Sequence, residues 1–217
     1  MNAQAAPHRA GARATPARTA LGAALGAIAL FFAQDAQAVF TWAGGFFPAQ
    51  SVTLRVGSAN ATVNNVTFNV NSASLFLNPV PVTGTPGNGT PATTPANGTE
   101  IQIDAAMPGL FGTYTLALSV DSSAGLSCVG GTGCGTTLIP FSTISWTSYN
   151  LDAGGGDIQT GTFNGAAGQP LASRSQASGL FGGTLTMRNV LIFQYDNATL
   201  YPSGTYQGRV VYTATNL

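Results

Sequence analysis

The sequence predicts an all-β protein, an antiparallel β-sandwich, and three observations support that prediction. Apolar and polar side chains alternate over many short runs, which places successive side chains on opposite faces of a sheet. Turn-forming Gly, Pro, Asn and Asp separate these runs at short intervals. No window after residue 38 shows a helical period with caps. We therefore expect about eight to ten strands with Greek-key connections, and a closed barrel is the alternative architecture.

Residues 1–38 are predicted to be a secretory signal peptide. Three arginines precede an uncharged apolar stretch, residues 19–33, and Ala36-Gln37-Ala38 follows as an A-x-A cleavage site. A retained membrane anchor is the alternative, but the stretch is short for a bilayer span. We expect an exported mature chain, residues 39–217, without a membrane span, in the periplasm, at the cell surface or outside the cell.

Residues 39–217 are predicted to form a single β-sandwich domain. Residues 78–99 are dense in Pro and Gly, which excludes both helix and ladder pairing and indicates an exposed loop. The alternative is a linker between two small domains. We prefer the loop, because residues 39–77 are too few to hold a core alone. Residues 165–178 are small and polar and are also predicted to be loop, whereas residues 51–56 are predicted to be a strand.

The mature chain carries little charge. It has four Arg, no Lys and six acidic residues, so four positive charges against six negative ones give a net charge of −2. Without a basic patch, nucleic acid and anionic membranes are poor partners. Low charge combined with many β-branched residues is typical of self-associating β proteins.

Cys128 and Cys134 are the only cysteines and are predicted to form a disulfide after export. We interpret the bond as a staple on a hairpin or loop. The alternatives are a redox pair or a metal site. A metal site needs more than two thiolates, and the mature chain has no His to add.

The composition argues against an enzyme, and we expect no cofactor. The one histidine, His8, lies in the signal, and the chain has no lysine, which removes the usual bases and nucleophiles. Paired carboxylates remain at Glu100 with Asp104 and at Asp152 with Asp157. We interpret them as surface and turn residues, although glycoside cleavage or, with Asp196, calcium binding is chemically conceivable.

Aromatic side chains offer another kind of site, a platform for stacking on sugars. Such a platform needs exposed, coplanar rings, and core packing is the competing interpretation. The candidate aromatic residues are Trp42, Trp146, Tyr149, Tyr195 and Tyr201.

The last 35 residues contain two alternating runs, residues 185–195 and 205–215, around an Asn- and Pro-containing turn. This pattern predicts two neighbouring strands joined by that turn. A weaker feature is an internal echo, in which the tetrapeptide Gly-Leu-Phe-Gly occurs at residues 109–112 and again at 179–182, each time before a strand. Two short matches do not make a repeat fold.

The run Tyr201–Thr215, YPSGTYQGRVVYTAT, resembles the closing strand of bacterial fimbrial subunits of the chaperone–usher and spore coat protein U-like kinds. The resemblance implies an incomplete immunoglobulin-like sandwich that lacks its final strand. It places Tyr206, Val210 and Tyr212 in the closing strand. It also implies partners: other copies or related subunits, and a periplasmic chaperone that fills the gap first.

The first mature segment fits the part of a donated strand in such an assembly. Phe40, Trp42 and Phe46 would enter pockets of a neighbour, with the small Gly44 between them. The alternative is that this segment is the first strand of its own sheet. The function we expect is a structural or adhesive subunit of fimbrial type, and the alternative is a free secreted module that binds carbohydrate or protein.

Overall fold

Antiparallel strands make up nearly all the regular structure of the described residues. The computed structural model describes residues 39–41, 50–57, 64–71, 79–109, 111–150 and 156–217, with the backbone alone for the first of these ranges. Within them there is no α-helix, and one 3-10 turn spans Phe141–Thr143. The prediction of an all-β, antiparallel fold is confirmed.

The strands are numbered in chain order. The first eight are β1 (Val39–Thr41), β2 (Ser51–Val56), β3 (Val66–Val70), β4 (Val82–Thr83), β5 (Thr85–Pro86), β6 (Thr99–Met107), β7 (Thr113–Asp121) and β8 (Gly125–Gly130). The others are β9 (Leu138–Pro140), β10 (Ile144–Tyr149), β11 (Gly161–Thr162), β12 (Gln169–Ala177), β13 (Gly183–Tyr195), β14 (Gly204–Gln207) and β15 (Val211–Asn216).

The strands pair in three sheets. The largest has the order β1-β2-β6-β13-β10-β11, and β4 also pairs with β13. A second sheet has the order β12-β7-β15, and a third has the order β5-β3-β14-β8-β9. Strands from before and after residues 78–99 are direct neighbours, since β2 pairs with β6 and β3 pairs with β14.

The long strand β13 shows why alternation predicts the sheet. Leu185 and Met187 are buried, whereas Thr186 and Arg188 are exposed. With one face in the core, a shift of the register by one residue would expose every apolar side chain, so the pattern fixes the register.

Residues from all three sheets meet in one hydrophobic core, which makes the fold a sandwich. Ile103 of β6, Leu118 of β7 and Tyr206 of β14 are almost completely buried in it. At one end the core is aromatic, where the ring of Phe163 lies 4.8 Å from that of Trp146. The immunoglobulin-like connectivity is a finer claim and stays a prediction.

The predicted pairing at the end of the chain is wrong. We expected residues 185–195 and 205–215 to form two neighbouring strands, but β13 belongs to the largest sheet and β14 to the third. The second run is also divided, since residues 208–210 carry the chain from β14 to β15 in another sheet. Alternation reports which face is buried, and it does not identify the partner strand.

Two predicted loops contain strands. Residues 165–178 were expected to be loop, but β12 occupies nine of them and pairs with β7. Its side chains are mostly small and polar and show no hydrophobic alternation, although Leu171 and Ala172 pack against the core, so its pairing left no signal. Residues 78–99 were expected to exclude ladder pairing, but β4 and β5 make two-residue pairings with β13 and β3. Their short length is compatible with the neighbouring prolines.

No helix in the described ranges has the length and hydropathy that crossing a bilayer requires. The signal peptide and its cleavage site fall outside the described residues and stay predictions.

Candidate site at an open sheet edge

Most sheet edges in the described part of the chain are short or protected. The strands β1, β5, β9 and β11 have only two or three residues each, and β5 and β9 each contain a proline. The longer edge strand β12 carries Pro170, a bulge beside it and the charged Arg174. In addition, the N–H of Ser173 on its outer side donates to the carbonyl of Gly156 at 3.1 Å. Short length, proline, bulges and charge are the usual means by which proteins prevent edge-to-edge pairing.

The edge strand β15 has none of these protections. Its six residues, Val211–Asn216, include no proline and no charge, and they pair with β7 in unbroken register. The regular pairing continues one residue further, where the N–H of Leu217 donates to the carbonyl of Thr115 at 3.0 Å.

The pairing of Leu217 with Thr115 shows which residues of β15 direct their backbone groups away from β7. Leu217 and Thr115 exchange both hydrogen bonds, so odd-numbered residues of β15 face β7 and even-numbered ones face away. Tyr212 and Ala214 therefore direct their N–H and C=O groups to the free side, where no described residue pairs with them. These four backbone groups can bind an additional strand.

The inward side chains of β15 are incompletely covered. Tyr212 and Ala214 are only half-buried, whereas Tyr206, on β14 just before the sheet change, is fully buried. Burial raises the pKa of the Tyr212 hydroxyl above its ordinary value. Tyr212 and Ala214 pack against the hydrophobic core, and each keeps part of its side chain exposed.

A cavity of about 150 Å³ lies at the start of β15. Tyr212 lines it from that strand, Val210 lines it from the connection just before the strand, and Val56 lines it from β2. The remaining apolar lining is mostly core side chains, namely Val66, Phe68, Leu126, Phe141, Ile144, Phe163 and Phe193. The exposed Arg209 and the polar Asn64, Asn65 and Thr99 also contribute to the wall.

The far end of β15 is tied to the opposite sheet. The side-chain amide of Gln50 donates to the carbonyl of Asn216 at 2.6 Å, and Asn216 Nδ2 donates to the carbonyl of Ala106 at 3.3 Å. Asn216 Oδ1 is buried and accepts no hydrogen bond from the described residues. The open part of the edge therefore lies between these ties and the cavity, at Tyr212 and Ala214.

The prediction that Tyr206, Val210 and Tyr212 belong to one closing strand needs correction. Tyr206 lies in β14, Val210 lies in the connection, and Tyr212 lies in β15, so the three residues do not share a strand. Two of them, Val210 and Tyr212, share a region because both line the cavity.

The candidate donor residues are described only in part. The backbone of Phe40 pairs with Val52 in the β1–β2 ladder, as expected if the segment is the first strand of its own sheet. Trp42, Gly44 and Phe46 lie outside the described residues, so whether this segment is donated stays a prediction.

The carboxylates considered for chemistry have structural partners. Glu100 accepts from Arg188 Nε at 2.7 Å, and Asp104 accepts from Thr186 Oγ1 at 2.9 Å. Asp157 is buried and accepts from Asn189 Nδ2 at 2.9 Å, which fixes the segment before β11 to β13. Asp152 lies outside the described residues. Among those described, no cluster of three His, Cys, Asp or Glu side chains is arranged to hold a metal ion.

The aromatic residues considered for a sugar platform are not brought together on the surface. Trp146 is buried and its indole N–H donates to the carbonyl of Gln159 at 2.7 Å. Tyr195 is buried against the half-buried Tyr201, with ring centroids 6.4 Å apart, while Tyr149 is exposed on β10. Trp42 lies outside the described residues.

Cys128 of β8 and Cys134 of the following turn are joined by a disulfide. Their Cα atoms are 6.0 Å apart, within the normal range for such a bond. The bond closes the turn after β8 and lies away from the cavity lining.

Comparison with family models, curated proteins and solved structures finds no match for this chain.

Proposed function

We propose that the mature chain is an exported structural or adhesive subunit of fimbrial type that assembles by adding a strand to β15. The observation that supports this most strongly is the contrast between β15 and the other described edges. A six-residue edge with neither charge nor proline is an aggregation hazard unless it has a partner. In this proposal the sandwich is immunoglobulin-like and incomplete, and the missing strand belongs beside β15.

The cavity supports the proposal because its size suits one aromatic anchor. An apolar cavity of roughly 150 Å³ in another protein binds benzene, and this cavity has about the same volume with a wall of Phe, Val and Ile. A strand beside β15 would bond to Tyr212 and Ala214 and direct alternate side chains inward. One inward ring would enter the cavity.

The donor in this proposal is the first mature segment of another copy or of a related subunit. Phe40, Trp42 and Phe46 occupy alternate positions with Gly44 between them, so all four point to one face of an extended strand. Before assembly a periplasmic chaperone would cover the same edge.

Comparing the chain that begins at Val39 with one that begins at Pro48 tests this function. The longer chain should form a concentration-dependent series of oligomers in sedimentation velocity. The shorter one should not, and it should bind the peptide VFTWAGGFF, residues 39–47. A peptide with Ser in place of Phe40 and Phe46 is the matched control and should not bind. A stable monomer from both chains, with no peptide binding, would exclude strand addition and favour the alternative, a free binding module.

A further inference from the structure

The two Gly-Leu-Phe-Gly segments, residues 109–112 and 179–182, are neighbours in space. Ser178 N–H donates to the carbonyl of Gly112 at 2.8 Å, and Gly112 N–H donates to Ser178 Oγ at 3.2 Å. The β6–β13 and β7–β12 ladders run up to these turns, so both turns lie at the same end of the sandwich. We call the described residues of these two segments, namely Gly109, Phe111, Gly112 and residues 179–182, together the twin turns.

Glycine at two positions permits this close approach. A Cβ atom on Gly109 would collide with the carbonyl oxygen of Leu180, and one on Gly182 would collide with the carbonyl oxygen of Met107. Gly182 also has φ of +88°, which a side chain would strain. Gly109 and Gly182 therefore allow the two backbones to lie this close together.

The twin turns expose large apolar side chains. Phe111 is 75% exposed, Phe181 is 89% exposed and Leu180 is 48% exposed. In the second turn Gly182 N–H donates to the carbonyl of Gly179 at 3.2 Å, so Leu180 and Phe181 are the central, outermost residues of a β-turn. Leu110 lies outside the described residues.

Phe111 is held in an unfavourable backbone conformation. Its φ is +54°, a region that is uncommon for any residue except Gly and an outlier for a bulky one. Glycine or asparagine would fit this position better for folding alone. An exposed Phe in a strained turn contributes little to the core, so its presence points to a contact outside the molecule.

We propose that the twin turns insert into the surface of a neutral lipid bilayer. No charged residue occurs in residues 105–120 or in residues 175–187, so the tips have neither a barrier to entering lipid nor an attraction to anionic headgroups. The three side chains expose roughly 400 Å² if a free aromatic side chain offers about 200 Å². A stable protein interface needs about 800 Å² from each partner, whereas shallow insertion of protruding tips needs no matching surface.

Flotation of the full mature chain with phosphatidylcholine vesicles tests this proposal. The protein should bind, and binding should change little between low and high salt, because no charge takes part. The double variant Phe111→Ser, Phe181→Ser should bind about tenfold or more weakly, since each ring offers on the order of 100 Å² or more to the lipid. Leu200→Ser removes an exposed apolar side chain from a different turn and should bind as the original does.

A second variant distinguishes a loss of the lipid contact from a loss of folding stability. Phe111→Gly relieves the positive φ and should shift the unfolding equilibrium about fivefold toward the folded state, while weakening vesicle binding. Absence of vesicle binding, or equal binding by the double variant, would overturn the proposal. If the double variant lost self-association but kept vesicle binding, the twin turns would serve a second copy and lipid insertion would be wrong. Ala214→Pro, which blocks the free edge of β15, should leave vesicle binding unchanged. The lipid proposal and the proposed assembly can therefore be refuted independently.

Discussion

Replacing Ala214 with proline should block strand addition while leaving the fold intact. The N–H of Ala214 faces the free side of β15, so proline removes no hydrogen bond of the β7–β15 ladder. Proline is tolerated at such edge positions, and we expect the free energy of unfolding to change by less than about 1 kcal/mol. The added strand, however, would lose one bond and meet the proline ring.

The expected loss of affinity follows from the backbone groups involved. Tyr212 and Ala214 offer four groups to an added strand, and each bond contributes about 1 kcal/mol net. Removing one donor also leaves a carbonyl of the added strand without a partner, which costs about 1–3 kcal/mol. Because about 1.4 kcal/mol corresponds to a factor of ten, the combined loss of about 2–4 kcal/mol should lower the association constant roughly 30- to 700-fold.

Sedimentation velocity over a concentration series, together with urea unfolding, measures both quantities. Ala177→Pro is the matched control, because the N–H of Ala177 also faces away from β7, at the other edge of the same sheet. It should assemble as the original chain does. Unchanged assembly of Ala214→Pro, or equal loss in Ala177→Pro, would refute the reasoning.

Two further predictions concern stability. Replacing both Cys128 and Cys134 with Ser should lower the free energy of unfolding by about 2 kcal/mol, since so small a loop restricts the unfolded chain only modestly; urea unfolding measures it, and a loss above about 5 kcal/mol would show that the bond does more than close its turn. Burial, with a smaller effect of Asp196, raises the pKa of Tyr195 to about 12 from 10.0. The folded state therefore keeps this proton to a higher pH than the unfolded state, and stability should be constant below pH 10 and fall between pH 10 and about 12. Tyr195→Phe should reduce that fall, and an identical pH profile in the variant would contradict the assignment.

The parts of the fold that the sequence predicted well are strands with one buried face. The bounds of β2 agree with the predicted strand, residues 51–56, and β13 has the predicted alternation. The strand β12 was missed because its mostly small and polar side chains show no alternation, and it is held by backbone bonds to β7 that no side-chain pattern records.

The sheet change at residues 208–210 was missed for a different reason. Tyr206, Val210 and Tyr212 keep the period of two across it, so the pattern continues although the partner strands change. Partner identity depends on contacts far apart in the chain, and this also hid the open edge. The sequence shows that residues 211–216 carry no charge, but it does not predict that they form an edge strand.

The twin turns are a further feature that the sequence alone could not explain. The sequence displayed the repeated tetrapeptide, residues 109–112 and 179–182, but gave no reason for it. Part of the reason is spatial, because one glycine of each turn, Gly109 or Gly182, lies where a side chain would collide with the backbone of the neighbouring segment.

Amide hydrogen exchange at single residues of β15 tests strand addition most directly. In the dilute monomer, Tyr212 and Ala214 should exchange fast, while Thr213 and Thr215, which bond to β7, should be protected. At concentrations where the chain assembles, Tyr212 and Ala214 should become protected as well. Protection of these two amides in the monomer, or fast exchange in the assembled form, would contradict the account.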